Sequence, residues 1–475
     1  MTGVYGLLPA LLIPAVAGYP VVAFLLQGRA GPMETAALGA GVGAGILGVA
    51  MFLLGLAGVP FSLWVITPVV FMPALAACVS MYAGKGRAVP GAGPCAEGAE
   101  RVQAVRLEGW RLYLAVALGG WVLLKAGFVV YEGLTRPMSA WDTWAHWASG
   151  AKFFFYSRGL ALDPASGHFF ASGYRFIGHP LQAPMLEVWT SLWLGGFHEV
   201  YSKAFSPVYF VSLLGVFYPA VRRNGGPFVA VLAVFFLAGL PLLTYHGAEG
   251  YSDIVLAYYA LAAVVCLWRF MKEGGRGALA LCGFFASVCV FTKNEGLFFL
   301  GAVFFVLVLF LAVERRQRLR EAALLLLPFA VVAAPWLLFK AAYGFGFGHG
   351  SLGSSHLTWL SDPKLAGAPG SLHWEVFPVI AREFFLGANY GLLFPFFALA
   401  TARHRRAVLA TDARYLYLLL SFVMASFAFV YLTFEVTAVT ELTGLLRNTL
   451  TYAPLMVFTA AVLPWRPVPF DTKLP

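Results

Sequence analysis

Apolar runs of about 18 or more residues recur along the whole chain, and no other feature limits its fold as strongly. A run of that length is buried either across a bilayer or inside a very large core. Hydrophobic residues make up 60% of the sequence and charged residues only 11%, against about a quarter charged in soluble proteins. A soluble fold would have to cover every run with other protein. The chain therefore reads as an all-α polytopic membrane protein. The runs lie near 4–26, 35–58, 60–82, 111–131, 202–221, 227–244, 253–270, 277–292, 295–313, 323–342, 377–400, 415–434 and 444–464. They predict about 13 transmembrane helices. The first lacks a preceding basic residue and reads as a membrane helix rather than a removed signal peptide.

The formal charge is +10, but its placement matters more than its sum. Basic residues gather at Arg222-Arg223, at Arg269, Lys272 and Arg276, at Arg315, Arg316, Arg318 and Arg320, and at Arg403, Arg405, Arg406 and Arg414. All are short segments between apolar runs, the positive-inside pattern, which puts them in the cytoplasm. No basic stripe lies on a soluble face, which excludes a nucleic-acid partner and leaves membrane lipids. The N-terminus then lies outside and the C-terminus inside. The outer face receives loops 132–199 and 343–376 and the turns 245–252 and 435–443. Within the first loop, the segment 181–196 follows His179-Pro180 and contains Pro184 and Glu187, so it reads as an interfacial or re-entrant helix. The five cysteines, Cys78, Cys95, Cys266, Cys282 and Cys289, have no CxxC or Cys/His spacing and read as packing residues.

The outer loop opens with Trp141-Asp142-Thr143-Trp144-Ala145-His146-Trp147. Tryptophan favours the membrane interface, and a carboxylate at that depth must be solvated, paired or used. As a helix over 139–156, Trp141, Trp144, Ala145, Ala148 and Phe155 share one stripe. Asp142, His146 and Ser149 share another, which would face an aqueous cavity. Asp142 is thus a candidate catalytic carboxylate. The Ser139-x-x-Asp142 spacing equally fits a helix cap with no catalytic meaning. His179 is a candidate substrate ligand or an ordinary loop histidine. In 245–253, Asp253 opens a helix and fits an N-cap; Asp142, His246, Glu249 and Asp253 together leave a divalent-metal site open. Lys293 and Glu295 interrupt a very apolar stretch, where charges facing lipid are costly; they read either as a paired turn or, through Lys293, as a neutraliser of a lipid phosphate. Arg447 stands near the outer end of the last run, where a phosphate headgroup or a bound isoprenoid phosphate would meet it.

With these residues in order, the chain resembles the GT-C superfamily of integral-membrane glycosyltransferases, near protein O-mannosyltransferases and lipid A aminoarabinose transferases. The carrying features are Trp141-Asp142 with Trp147 and Ala151-Lys152, then His179-Pro180-Leu181, Gly250-Tyr251-Ser252-Asp253, Thr292-Lys293-Asn294-Glu295-Gly296 and Arg447. The resemblance spans about residues 111–464. It implies a polyprenyl-phosphate-linked monosaccharide as donor and a glycan, lipid or protein hydroxyl as acceptor, with Asp142 as general base. It also implies Lys293, Arg447, Lys152 and Arg175 as donor phosphate ligands, and His146, His179, Asp253 and Glu295 as substrate contacts. The residues point to no definite cofactor and leave a divalent cation open. The expected divisions are 1–110, a three-helix extension with a cytoplasmic loop; 111–464, the catalytic membrane domain; and 465–475, a tail. Two departures from the family pattern are the three spans ahead of the core and the lack of a large soluble domain after the last helix. The expected location is the plasma (inner) membrane with the active site facing the periplasm or exterior. A transporter or flippase for a lipid-linked saccharide is the alternative, but paired halves of the kind transporters show are not evident.

Overall fold

A computed structural model describes residues 4–84, 107–162, 179–343, 373–433, 439–442 and 444–463. Arg175, Cys95, the tail and nearly all of the loop 343–376 lie outside the described residues. Among those described there are helices and no strand, and nine helices are long and apolar enough to cross a membrane. The protein is an integral, multi-pass membrane protein.

The first four helices are α1 (Leu7–Leu26), α2 (Pro32–Leu56), α3 (Leu63–Gly84) and α4 (Trp110–Thr135). The stretch after Pro137 forms a π-helical segment (Thr143–Ala148) running into α5 (Ser149–Ser157). Then come α6 (Gln182–Leu194), α7 (Phe205–Ala238), α8 (Pro241–Glu249), α9 (Ser252–Glu273), α10 (Arg276–Thr292) and α11 (Gly296–Glu314). A helical rod over 316–342 contains α12 (Leu326–Pro328) and α13 (Ala334–Ala342). The rest is α14 (Val376–Phe385), α15 (Leu393–Ala410), α16 (Ala413–Thr433), α17 (Leu445–Leu450) and α18 (Ala453–Ala461).

Helix α9 is the axis. Its apolar window is entirely buried by other helices, although its composition alone would suit a lipid-facing span. At 1.5 Å per residue it measures roughly 33 Å, about one bilayer core. Against it lies α2, whose Gly- and Ala-rich face lets tyrosines reach its backbone. Tyr258 donates to the Ala37 carbonyl at 2.7 Å and Tyr259 to Gly41 at 3.0 Å, while Gln182 Nε2 donates to Ala44 at 2.9 Å. Each buried polar group is satisfied by the second lone pair of a carbonyl already in a helix. Helices α1 and α2 therefore share one continuous hydrophobic core with α6, α7, α9 and α10.

Several expected spans are interrupted. The runs near 202–221 and 227–244 meet in α7, which breaks at Gly226 (φ 81°, ψ 173°) just before Pro227. Glycine alone reaches that backbone easily, and proline cannot supply the next helical N–H. The run near 377–400 divides into α14 and α15 around a 3-10 turn, Ala388–Tyr390, followed by Gly391 at φ 52°. The run near 444–464 divides into α17 and α18 ahead of Pro454. Helix α6 has 13 residues, roughly 20 Å and too short to span. It is no surface helix either: all but Trp193 are buried.

The basic segments converge at one end. Arg223 pairs with fully buried Glu34 at 2.5 Å, Arg269 joins Glu34 at 3.3 Å and Glu273 at 3.1 Å, and Lys272 meets Asp412 at 2.8 Å. Arg269 lies near the last turn of α9; Asp253 lies in its first. The acidic and histidine-rich residues are therefore about one helix length from the basic end.

Candidate functional site

Asp253 is fully buried, and stripping a carboxylate of water costs several kcal/mol unless it is paired. It is paired twice. Lys293 Nζ donates to Oδ1 at 2.9 Å, and Arg447 Nε lies 3.7 Å from Oδ2. Lys293 can reach it because α10 ends at Thr292, leaving Lys293 extended (φ −149°, ψ 153°) between α10 and α11. The same ammonium sits 3.4 Å from Glu295 and donates to Asn448 Oδ1 at 3.3 Å. Burial opposes its charge, but Asp253 and then Glu295 outweigh that and hold the Lys293 pKa above the usual value.

Arg447 bridges the two carboxylates: it ion-pairs with Asp142 and faces Asp253. It rides on the six-residue α17. That helix is anchored by Tyr390, whose hydroxyl donates to the Leu446 carbonyl, and by Asn448 Nδ2 donating to Tyr431 at 3.0 Å. The guanidinium also lies over the Tyr251 ring at 5.2 Å. His246 stacks on the same ring at 4.2 Å, with Nδ1 3.7 Å from Asp253 Oδ2. Burial, only partly offset by Asp253, pulls the His246 pKa down to about 4, so the imidazole is neutral at pH 7.

Asp142 is not a cap. It has helical backbone angles (φ −66°, ψ −30°) and makes no capping hydrogen bond. The hydroxyl of Ser139, its supposed capping partner, donates instead to Glu249 Oε1 at 2.9 Å, and the Ser139 amide to Oε2 at 3.2 Å. Glu249 thus ties the segment before Asp142 to the end of α8. Behind this tie, buried Lys203 packs its Cβ where a side chain on Gly250 (φ +90°) would sit, as Thr143 does from the other side. Burial lowers the Lys203 pKa and raises that of Glu187 on α6.

The expected polar stripe is altered by the π turn, which adds a residue per turn and shifts the register. His146 is buried with Nε2 4.0 Å from Asp142 Oδ1, but Ser149 is exposed and bonds back to the Ala145 carbonyl. Trp141 and Trp144 are exposed and pack edge to face at 4.6 Å, whereas Trp147 is buried. His179 stacks near His146, ring centres 5.2 Å apart.

Asp142, His146, His179, His246, Asp253, Lys293, Glu295 and Arg447 therefore gather at one end of the helical bundle. Lys152 does not join them: it is exposed, its ammonium 6.0 Å from the Phe197 ring. The metal set does not form either. Glu249 is turned to Ser139, Asp142 and Asp253 are held by Arg447 and Lys293, and among the described residues no group of three or more His, Cys, Asp or Glu converges on a point. Sequence reasoning missed Tyr251, Asn448 and Lys340. Lys340 donates to Asn294 Oδ1 at 3.0 Å beside the Lys293 turn. Nothing in the local pattern of Lys340 points there; only the packing of 316–342 against α10 does.

Residues 179–339 match the model of the dolichyl-phosphate-mannose-protein mannosyltransferase family. The match covers about a third of the chain, from His179 to the residue before Lys340. It holds His246, Asp253, Lys293 and Glu295, while Asp142 and Arg447 lie outside it on either side. No curated protein and no solved structure matches the chain. The match makes the chain similar to membrane glycosyltransferases of the GT-C type.

Proposed function

We propose that this GT-C-type glycosyltransferase moves a monosaccharide from a polyprenyl-phosphate donor to an acceptor hydroxyl on the non-cytoplasmic face of the membrane. The acceptor belongs to a glycan, a lipid or a protein. The observation that carries the reading is the chain Asp142–Arg447–Asp253–Lys293, which joins a half-buried carboxylate and a half-buried arginine to a buried Asp–Lys pair beside the family-matched helices.

In this reading Asp142 accepts the proton of the attacking hydroxyl as its oxygen bonds to the anomeric carbon. The bond from that carbon to the donor phosphate oxygen breaks, and the departing phosphate keeps the electron pair. Arg447 and Lys293 neutralise that charge, which grows in the transition state and is best met by cations already held in place. Asp253 and Glu295 keep the two cations positioned before the donor arrives. Neutral His246 braces Asp253 through its stack on Tyr251, and His146 and His179 line the sugar side of Asp142. Lys152, which stands apart from this group, takes no part in the step. No step runs through a metal. The location consistent with this scheme is the plasma membrane, with the site facing the periplasm or exterior, opposite the basic end.

The test is sugar transfer by the purified protein in lipid, comparing wild type with Asp142→Asn. The expected loss is on the order of 10²–10⁴-fold, the usual worth of a positioned general base, with melting temperature little changed. Wild-type turnover in the variant would refute the assignment. Movement of intact donor across the membrane with no new glycosidic bond would favour a transporter instead.

A further inference from the structure

At the end of the bundle away from Asp142, most carboxylates are spoken for. Glu34, Glu273, Glu314, Glu321 and Asp412 pair with Arg223, Arg269, Arg414, Arg276, Arg318 and Lys272. Arg403, Arg405 and Arg406 are different: among the described residues none has an ion-pair partner, and all three are exposed. On a regular helix, positions 403 and 405 would point to nearly opposite sides. Helix α15 is not regular there. At His404 its backbone leaves the helical region (φ −102°, ψ 15°), and the three arginines line one open cavity of about 450 Å³ together with Ala402, His404 and Ala407.

The surroundings identify the kind of anion. Leu399 and Leu409, on either side of the arginine segment along α15, are 68% and 71% exposed. They are apolar surface of the sort that faces acyl chains. A fork of guanidiniums suits the oxygens of a phosphate, and apolar side chains along the same helix suit an attached hydrocarbon. A free phosphate would use only the first feature.

We propose that Arg403, Arg405 and Arg406 form a headgroup site for an anionic phospholipid, separate from the glycosyl-transfer site and at the other end of the bundle. The kink at His404 gathers the charges and α15 carries the chains. This differs from a general attraction of basic loops to an acidic membrane, because Arg316 and Arg320, also without an ion pair among the described residues, are not among the residues that line this cavity.

The experiment uses the full chain reconstituted into vesicles of equal parts phosphatidylglycerol and phosphatidylcholine, extracted gently and weighed intact with its bound lipids. Wild type is expected to retain phosphatidylglycerol over phosphatidylcholine by roughly fivefold or more, the scale of one basic residue at an anionic surface. The variant Arg403→Gln/Arg406→Gln should fall to the ratio of the vesicle. Arg316→Gln/Arg320→Gln removes the same charge and should keep the enrichment; equal loss in both pairs would mean surface charge alone and overturn the site. Enrichment should survive added inorganic phosphate; its disappearance there would identify a free-phosphate site and overturn the lipid assignment. Melting temperatures of both variants check that loss of lipid is not loss of fold.

Discussion

At the level of single residues, the site is a matter of where charge can be held without water. Asp253 and Lys293 tolerate burial because each is the other's counter-ion, with half-buried Arg447 as a second partner of Asp253, and removing one partner of a buried pair typically costs about 3–5 kcal/mol. His246 has the opposite problem: it is buried beside two cations, so its proton is unwelcome. Burial pulls its folded pKa down to about 4, below the ordinary histidine value of 6.5. Stability from this group is therefore complete above pH 6.5 and declines as pH falls toward 4, because the unfolded chain takes up a proton the folded one refuses. The slope is at most about 1.4 kcal/mol per pH unit. Melting curves in lipid between pH 7 and 4 should show His246→Gln losing less stability over that window than wild type; parallel curves would contradict the assignment. Asp142, His246, Asp253, Lys293, Glu295 and Arg447 were all legible as candidates because each is a polar residue in or beside an apolar run. Their roles were not legible. Asp142 fitted a helix cap as well as a reacting group until Ser139 was seen bonded to Glu249.

At the level of elements, local chemistry explains both what was foreseen and what was missed. The run 253–270 became a helix because nothing in it interrupts the backbone ladder, and the run 4–26 stays helical through Pro14 and Pro20. The runs near 377–400 and 444–464 contain their own breaks, at Gly387, Gly391 and Pro454, and hydropathy averages over such breaks. The close pairing of α1 and α2 was also present in the sequence as Gly39-x-x-x-Gly43, a small-residue spacing that lets helix backbones approach. A Cβ on Gly43 would lie 1.7 Å from the Pro14 carbonyl oxygen. That neighbour is backbone and cannot turn aside, so Gly43→Val must push the helices apart. The expected cost is about 1–3 kcal/mol, as for other overpacked contacts, read as a lower melting temperature in lipid. An unchanged melting temperature would mean that α1 is not seated on α2 as described. The π turn over Thr143–Ala148 had no such signal, and it decides that His146 faces inward while Ser149 does not.

Across the whole molecule, the separation of the acidic site from the basic end predicts opposite membrane faces. Single cysteines at Trp144 and at Arg320, in a variant lacking the native cysteines, should react with an impermeant thiol reagent from opposite sides of intact cells. Trp144→Cys is expected to label from outside and Arg320→Cys only after permeabilisation; labelling of both from one side would overturn the topology. By itself the sequence determined the solvent of this protein and its helical class, because those follow from composition and from the runs along the chain; for the side on which its cations lie it supplied an expectation. It also marked the polar residues too costly to leave in lipid. Only the tertiary structure decided that α9 is wrapped by protein and that α2 shares its core. It also brought residues as distant in the chain as Asp142, Asp253, Lys293 and Arg447 into one ion-paired group. Hydropathy measures how much a segment avoids water, and lipid and protein satisfy that equally well; which of them covers a helix depends on shape, and shape is a property of the packed whole.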